Sequence, residues 1–480
     1  MAYNNEKASK FAYHTIINDP MVKDYLSKCF IPDIESITTE EIENFSIPLE
    51  EINDISKTDI KKLIAIDGGY QIVSINTNYP SAKIAYYSAG VLSFNLDLFE
   101  DINQQLTVDP NDIVNLKKLH KQNFQLPLQN LKLIGETFVD STRKTIFNIF
   151  ETRSLFEKKE ENSSLDIDTI LIDTIKWLVF EEYRNDDKKG KGTFTINCPN
   201  PNCDNKIHFR KINEDYKDKN DKLLCKSCHD KGIRTVIYLT DVFEMHEIVD
   251  EIQGAGAITS TLLNVFEIIL LFTVFRFSFE KHNIDIMSKY IFLKDGSLAI
   301  FSKNNRFSGD KIFKFISFMY EESIKKEKNL MNIVGLDKSG YFMEHLKNIE
   351  PRLLDRHLFV PNLEYIQNNI IGDKTIFGLG SYFGFKFIYK HNNKLSFVFD
   401  IPMPVSFQKS SDTAYIDFIK KPIIKKFINL KVILNILIEL KCDIYEKSFI
   451  PIVLINKQVS VSEKPGRKLL TLFTKEELLK

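Results

Sequence analysis

Short apolar runs alternate with turn residues along much of the chain, and two of the runs lead to an aspartate that is followed by glycine. The run 63–66 ends at Asp67, and the run 290–293 is followed by a lysine and then Asp295. β-branched and aromatic runs bounded by glycine are typical of buried strands. We therefore expect Asp67 and Asp295 at strand ends, where ligands collect in α/β sheets.

The pattern of apolar positions in the rest of the chain predicts both strands and helices. Segment 61–98 has the period of a β-meander, and further strands are expected at 290–301, 332–336, 385–389 and 395–399. Apolar residues at helical spacing predict helices over 140–156 and 165–183, within a helical region 110–182, and over 241–279, 309–325 and 418–440. The chain is thus expected to form an α/β fold with a mixed central sheet and helical elaborations.

One apolar stretch, residues 262–277, contains the acid Glu267. It is shorter than the roughly 20 residues of a membrane-spanning helix and carries charge, so a buried helix is the better interpretation. A buried carboxylate is costly unless it is paired or coordinates a cation, which makes Glu267 a candidate ligand. Glu280 is the alternative, but its surroundings are those of a solvated helix end.

Residues 184–234 differ in composition from the rest of the chain: they are rich in Lys, Asp and Asn and contain four of the six cysteines. We expect an N-terminal helical region 1–58, a main domain in two parts, 59–184 and 235–480, and an inserted module 185–234. Four thiolates in two knuckles match a closed, tetrahedral structural zinc site. The predicted ligands are Cys198, Cys203, Cys225 and Cys228. Four reduced thiols without metal are the alternative, and His208 or His229 could replace one ligand.

Length and charge narrow the class of protein. At 480 residues the chain can bury a large core, and its net charge of -1 gives no overall attraction to nucleic acid, so any nucleic-acid surface must be local. The polar N-terminus lacks the layout of a signal peptide, which makes a reducing cytoplasmic setting the expectation.

Taken in order, these motifs resemble the NurA nuclease family, whose members carry a ribonuclease-H-like nuclease domain and work with a HerA-type hexameric ATPase. The similar segments are IAIDGG at 64–69, VFEI at 265–268, FLKDGSLAIF at 292–301, VGLDKSG at 334–340 and YFGFKF at 382–387. The resemblance spans about residues 63–457 and is interrupted by the cysteine module.

The resemblance implies a metal-dependent deoxyribonuclease, acting as an exo- or endonuclease in DNA repair or anti-phage defence. Asp67, Glu267 and Asp295 would hold Mn²⁺ or Mg²⁺, since hard oxygen ligands favour these ions, and Lys338 would stabilise phosphoryl charge. DNA, a HerA-type ATPase and a second copy of the chain in a homodimer are the expected partners, without a membrane.

The chain departs from the family near its end. Members usually carry a histidine on the last strand, and here Asn456 stands at that place. Asparagine can bind a metal or phosphate but cannot transfer a proton at neutral pH; His246 is an alternative. This departure keeps a second hypothesis open, in which the protein is a catalytically degenerate adaptor that docks on an ATPase ring.

Overall fold

The computed structural model describes residues 10–29, 37–52, 59–75, 81–97, 118–155, 169–210, 223–281, 283–301, 306–406, 411–442, 448–460 and 466–479. Its framework is one nine-stranded sheet, accompanied by a two-stranded sheet. The strands are β1 Ser46–Pro48, β2 Lys62–Ile75, β3 Ala82–Asn95, β4 Lys118–Gln129, β5 Phe194–Asn197, β6 Lys206–Phe209, β7 Tyr290–Asp295, β8 Asn332–Asp337, β9 His357–Phe359, β10 Gly384–Asn392 and β11 Leu395–Pro402.

The large sheet is mixed, as the sequence predicts. Its order is β1-β9-β10-β11-β8-β7-β2-β3-β4. Strands β2, β3 and β4 form an antiparallel meander, whereas β2, β7 and β8 run parallel to one another. The parallel ladder between β2 and β7 ends where Ile66 pairs with Lys294, so Asp67 and Asp295 are the next residue on each strand. Asp295 is the last residue of β7, as expected. The strand end expected at Asp67 is wrong, because β2 continues to Ile75 through its antiparallel pairing with β3.

The described residues also form helices, several of which pack on the sheet. The helices are α1 Lys10–Asn18, α2 Pro20–Lys28, α3 Thr39–Asn44, α4 Phe138–Thr152, α5 Leu171–Val179, α6 Lys226–Asp230, α7 Thr259–Glu280, α8 Phe313–Lys325, α9 Tyr341–Ile349, α10 Leu363–Tyr365, α11 Ser411–Lys420, α12 Leu430–Glu439, α13 Ile450–Val459 and α14 Gly466–Leu479. Short 3₁₀ turns, such as Leu239–Phe243, join several of them.

Helix α7 is the core helix of the protein. It is long and apolar enough to span a membrane, yet 78% of its most apolar window is buried inside the protein. Aromatic contacts of Phe266 with Phe124 and of Phe275 with Phe292 fix it to the sheet. Residues 262–277 therefore belong to a helix that is buried in the protein, as predicted, and the structure does not favour a membrane-spanning helix.

Helices α7 and α13 cover opposite faces of the sheet around Asp67. A Cβ built on Gly68 would meet Leu263 of α7, whereas one built on Gly90, the partner of Asp67, would meet Val459 of α13. Because successive residues of a strand point to opposite faces, Asp67 lies on the α13 face and Gly68 on the α7 face.

Several expected elements differ from the structure. The helix expected over 241–279 begins at Thr259, after short 3₁₀ turns, and the strand expected over 290–301 ends at Asp295. Residues 118–129, within the region expected to be helical, form strand β4. The helix expected over 418–440 is two helices, α11 and α12, because Pro422 cannot continue a helix and Asn429 adopts a left-handed backbone, with φ of 64°.

A further difference concerns the last strand that the family resemblance implies around Asn456, which is helix α13. Pro451 lies in its first turn, where proline is tolerated. The buried residues Ile452, Ile455 and Val459 then recur at spacings of three and four, which is the helical period.

The cysteine segment forms the β5–β6 hairpin and helix α6. Its buried apolar residues belong to the same hydrophobic cluster as the central sheet, and Phe194 of β5 contacts Phe307 edge to face. The boundaries proposed for the domains remain predictions.

Candidate functional site

Asp67 is a buried acid whose charge is only partly compensated. Its Oδ1 accepts a hydrogen bond from the amide of Gly68 at 2.8 Å, while its Oδ2 is buried without a hydrogen-bond partner. Burial, with Asp295 and Glu267 as nearby negative charges, raises the pKa of Asp67 from 3.8 to about 8. Such an acid is poised to take up a proton or a cation.

Asp295 ends strand β7 beside Asp67 and is paired with Lys338. The Nζ of Lys338 lies 2.7 Å from Oδ2 of Asp295, and the lysine side chain is 46% exposed. Gly296 follows with a left-handed φ of 83°, which a side chain rarely adopts, and its amide bonds to the carbonyl of Leu336 at 2.8 Å. This turn brings the loop after β7 against the end of β8.

Glu267 is held by a second lysine. The Nζ of Lys294 lies 2.9 Å from Oε2 of Glu267 and donates to the carbonyl oxygen of Asp295 at 2.7 Å. A Cβ at Gly68 would lie 3.0 Å from Oε1 of Glu267, so glycine allows this close approach. Burial raises the pKa of Glu267, and Lys294 opposes that effect.

A buried network continues beyond this site. The Nζ of Lys386 donates to Asp337 at 2.5 Å, to Asp400 at 2.7 Å and to Ser297 at 3.1 Å. Asp400 also accepts from the amide of Leu298 at 2.9 Å. The network therefore ties the loop that follows Asp295 to strands β8, β10 and β11.

Of the five predicted catalytic residues, the structure places Asp67, Asp295 and Lys338 beside one another, and Glu267 across the sheet from the two aspartates. Asp67, Glu267 and Asp295 interact electrostatically, and Lys338 pairs with Asp295. Asn456 is instead an exposed residue of helix α13.

The alternatives weighed from sequence lie elsewhere. Glu280 pairs with Arg276 at 3.0 Å and is 40% exposed, as expected of a helix end. His246 lies 3.8 Å from Asp241 in a buried cluster with Arg143, which is a different site.

Sequence reasoning missed Lys294, Lys386 and Asp400. Lys294 stands in the motif that was used for Asp295, and Lys386 stands in the segment 382–387. Asp400 follows the apolar run 395–399, so a charge at the end of a buried strand was the available signal.

The four predicted cysteines form a compact cluster. Their sulfur atoms all lie within 4.8 Å of one another, and in the part of the chain that the structure describes they are the one group of three or more such side chains gathered for metal binding. The sulfurs of Cys198 and Cys228 are 3.7 Å apart, and those of Cys203 and Cys225 are 3.8 Å apart. A zinc tetrahedron with Zn–S bonds of about 2.3 Å has edges of about 3.8 Å. The cluster can therefore hold a structural metal such as zinc.

Two asparagines add hydrogen bonds to these sulfurs. Asn200 donates to Cys228 at 3.4 Å, and Asn205 donates to Cys225 at 3.6 Å. Hydrogen bonds from neighbouring groups lower the pKa of Cys228 to about 7 against the effect of burial, while burial raises the pKa of Cys203. Donors around a sulfur favour the thiolate, which is the form that binds a metal.

Comparison with known proteins gives a structural likeness and no sequence match. No protein-family model matches the chain, and no curated protein matches it. Among solved structures, the chain is similar to the NurA nuclease from Sulfolobus solfataricus, with a TM-score of 0.32 and 10% identity, over 98% of this chain and 97% of that one.

Proposed function

We propose that this protein is a metal-dependent nuclease that hydrolyses DNA phosphodiesters with Mn²⁺ or Mg²⁺. The observation that carries the proposal is the buried, unpartnered Oδ2 of Asp67 beside Asp295. Unpaired buried carboxylate oxygens are costly, and binding a cation removes that cost. Hard oxygen donors favour Mg²⁺ and Mn²⁺.

The residues present fit such an ion. Asp67 and Asp295 lie on neighbouring parallel strands and would supply its carboxylate ligands, with Glu267 adding a third negative charge. When bound, the ion supplies Lewis-acid activation of water and neutralises phosphate charge. Lys338 is half exposed, so its ammonium can turn from Asp295 towards a phosphate oxygen.

The ribonuclease-H-like fold assignment is part of the proposal. Its support is the mixed sheet, in which the β2–β4 meander continues into the parallel strands β7 and β8. Two neighbouring strands of this arrangement, β2 and β7, carry Asp67 and Asp295. We propose the cysteine cluster as a structural zinc site in the same protein, on the sulfur distances given above.

The partners belong to the proposal as well, and the sequence resemblance to the NurA family supports them. We propose that the protein acts in the cytoplasm with a HerA-type hexameric ATPase, as a homodimer, in DNA end processing or anti-phage defence. The mass of the purified protein by light scattering, alone and mixed with the ATPase, tests both associations.

The decisive experiment is DNA cleavage by purified protein with Mn²⁺, Mg²⁺ or chelator. We expect cleavage that needs the divalent ion and that is abolished by Asp67→Asn and by Asp295→Asn. Glu344→Gln, which removes an exposed acid from helix α9, is the matched control and should leave cleavage unchanged. Cleavage by Asp67→Asn at the wild-type rate would show that the site is misassigned.

An adaptor without catalytic activity is the second candidate. It is favoured by the ion pairs that already occupy Glu267 and Asp295 and by the position of Asn456 on an exposed helix face. An adaptor should bind the ATPase equally well with Asp67→Asn and should not cleave DNA under any metal condition. Metal-dependent cleavage that disappears with Asp67→Asn excludes it.

A further inference from the structure

Lys294 is the member of the carboxylate cluster that is most completely enclosed. Its side chain is 2% exposed, and its ammonium makes two short contacts, with Oε2 of Glu267 and with the carbonyl oxygen of Asp295. A buried ammonium that loses its carboxylate partner is strongly destabilising. A metal ion can therefore take Glu267 as a ligand only by displacing a charge that has no exit to solvent.

The sheet separates this ion pair from the remaining acids. Side chains alternate between the two faces of a strand. Gly68 and Lys294 lie on the face covered by α7, together with Glu267. Asp67 and Asp295, each one residue away, point to the opposite face.

Lys338 behaves differently from Lys294. It also pairs with a carboxylate of the cluster, Asp295, but its side chain is 46% exposed. A half-exposed ion pair contributes little to stability, and its ammonium can turn into water. Lys338 can therefore yield Asp295 to a cation, whereas Lys294 keeps Glu267.

The net charge of the cluster is consistent with a Lys294 that keeps Glu267 and a Lys338 that releases Asp295. With Lys338 turned into water, the carboxylates of Asp67, Glu267 and Asp295 are opposed by the ammonium of Lys294 alone, so two negative charges are left. A single divalent ion compensates them. Two divalent ions beside a fixed Lys294 would leave excess positive charge in a site largely closed to water.

We infer that this site binds one divalent cation, on Asp67 and Asp295, and that Lys294 takes the place of a second ion by holding Glu267. Glu267 is then a positioning residue, which anchors Lys294 and, through it, the carbonyl of Asp295. The inference rests on the proposed metal-dependent function and specifies how many ions that function uses.

The test is Mn²⁺ binding to the full chain with its cysteine site loaded with zinc. Free Mn²⁺ is followed by electron paramagnetic resonance, and heat release by calorimetry gives an independent stoichiometry. We expect one Mn²⁺ per chain, without the signal of coupled ion pairs, and loss of this binding in Asp67→Asn.

Two substitutions of similar size separate the lysines. Lys294→Met frees Glu267 and the carbonyl oxygen of Asp295 on the α7 face, where the ammonium stood, and should raise the stoichiometry from one to two Mn²⁺ per chain. Lys338→Met removes an exposed ammonium and should keep the stoichiometry at one, with affinity tighter by no more than about fivefold.

Two further variants allow the inference to be tested even if Lys294→Met does not fold. Glu267→Gln alone should still bind one Mn²⁺. Glu267→Gln combined with Lys294→Met leaves a neutral pair and no freed carboxylate, and should also bind one.

The possible outcomes test the single-ion inference separately from the proposed nuclease function. Two Mn²⁺ per wild-type chain, or a loss of one ion in Glu267→Gln, would overturn the single-ion inference and leave the nuclease proposal standing. No Mn²⁺ binding by the wild type, or binding that Asp67→Asn does not change, would overturn both.

Discussion

Substitution of Asp67 by asparagine should make the metal-free protein more stable at high pH. Asparagine keeps the shape of aspartate and removes its charge, and the side chain is buried with Oδ2 unpartnered. Ionised Asp67 is disfavoured by burial and by the nearby charges of Asp295 and Glu267, so its pKa is raised from 3.8 to about 8. The variant removes this unfavourable ionisation.

The sign and the size of this change in unfolding free energy follow from the linkage between protonation and folding. Because the pKa of Asp67 is raised in the folded state, its contribution to stability is fully present below pH 3.8 and is lost as pH rises through about 8. Between pH 5 and pH 9 the wild type should therefore lose roughly 4 kcal/mol of unfolding free energy relative to the variant. The neighbouring carboxylates share this titration, so the loss belongs to the cluster.

The assay is urea unfolding in the presence of a chelator at pH 5, 7 and 9, followed by circular dichroism. Glu344→Gln is the control for loss of an exposed acid. Mn²⁺ should narrow the difference in unfolding free energy at high pH, because it binds the ionised wild type and not the variant. At a concentration of 100 times Kd the gain for the wild type is about 2.7 kcal/mol, which offsets most of the loss of roughly 4 kcal/mol.

One result would refute the reasoning. If wild type and Asp67→Asn keep the same difference in unfolding free energy from pH 5 to pH 9, Asp67 does not titrate in the folded protein as its surroundings require. The proposed function would then lose its main support, which is the uncompensated charge of Asp67 in the folded protein.

Other substitutions test the remaining parts of the structure. Cys225→Ser should lower bound zinc from about one per chain to near zero by elemental analysis, and zinc retained at the wild-type level would contradict a four-thiolate site. Gly68→Ala places a methyl group 2.7 Å from Leu263 and should cost about 1–3 kcal/mol in urea unfolding; an unchanged midpoint would mean that α7 does not pack closely there. Lys386→Met leaves buried carboxylates unpaired and should cost about 3–5 kcal/mol, with part of the loss recovered when Asp400→Asn is added; no recovery would argue against a direct pairing.

The sequence determined those features that local pattern encodes. The β2–β3 part of the meander and the position of Asp295 at the end of a buried strand follow from apolar runs bounded by turn residues, and the structure agrees. Asp67 was also expected at a strand end but lies inside β2. The cysteine cluster was predictable because the spacing of two knuckles limits where four sulfurs can lie. Glu267 was found because a charge inside an apolar helix needs a partner.

Resemblance and local pattern each misled at one place near residues 418–459. The strand at Asn456 was expected from the family resemblance, whereas the chain there is helix α13, packed on β2 and β3 with residues three and four apart buried. The long helix expected near the end of the chain breaks at Pro422, where a single proline outweighs apolar spacing.

Tertiary structure alone decided which charges meet. Lys294 is 27 positions from Glu267 in sequence, and Lys386 reaches Asp337 and Asp400 across three strands. A sequence shows that each of these groups is charged, but partner choice depends on which strands become neighbours and which face each side chain takes. For that reason the acids of the candidate site could be predicted from the sequence, whereas the lysines that determine their roles could not.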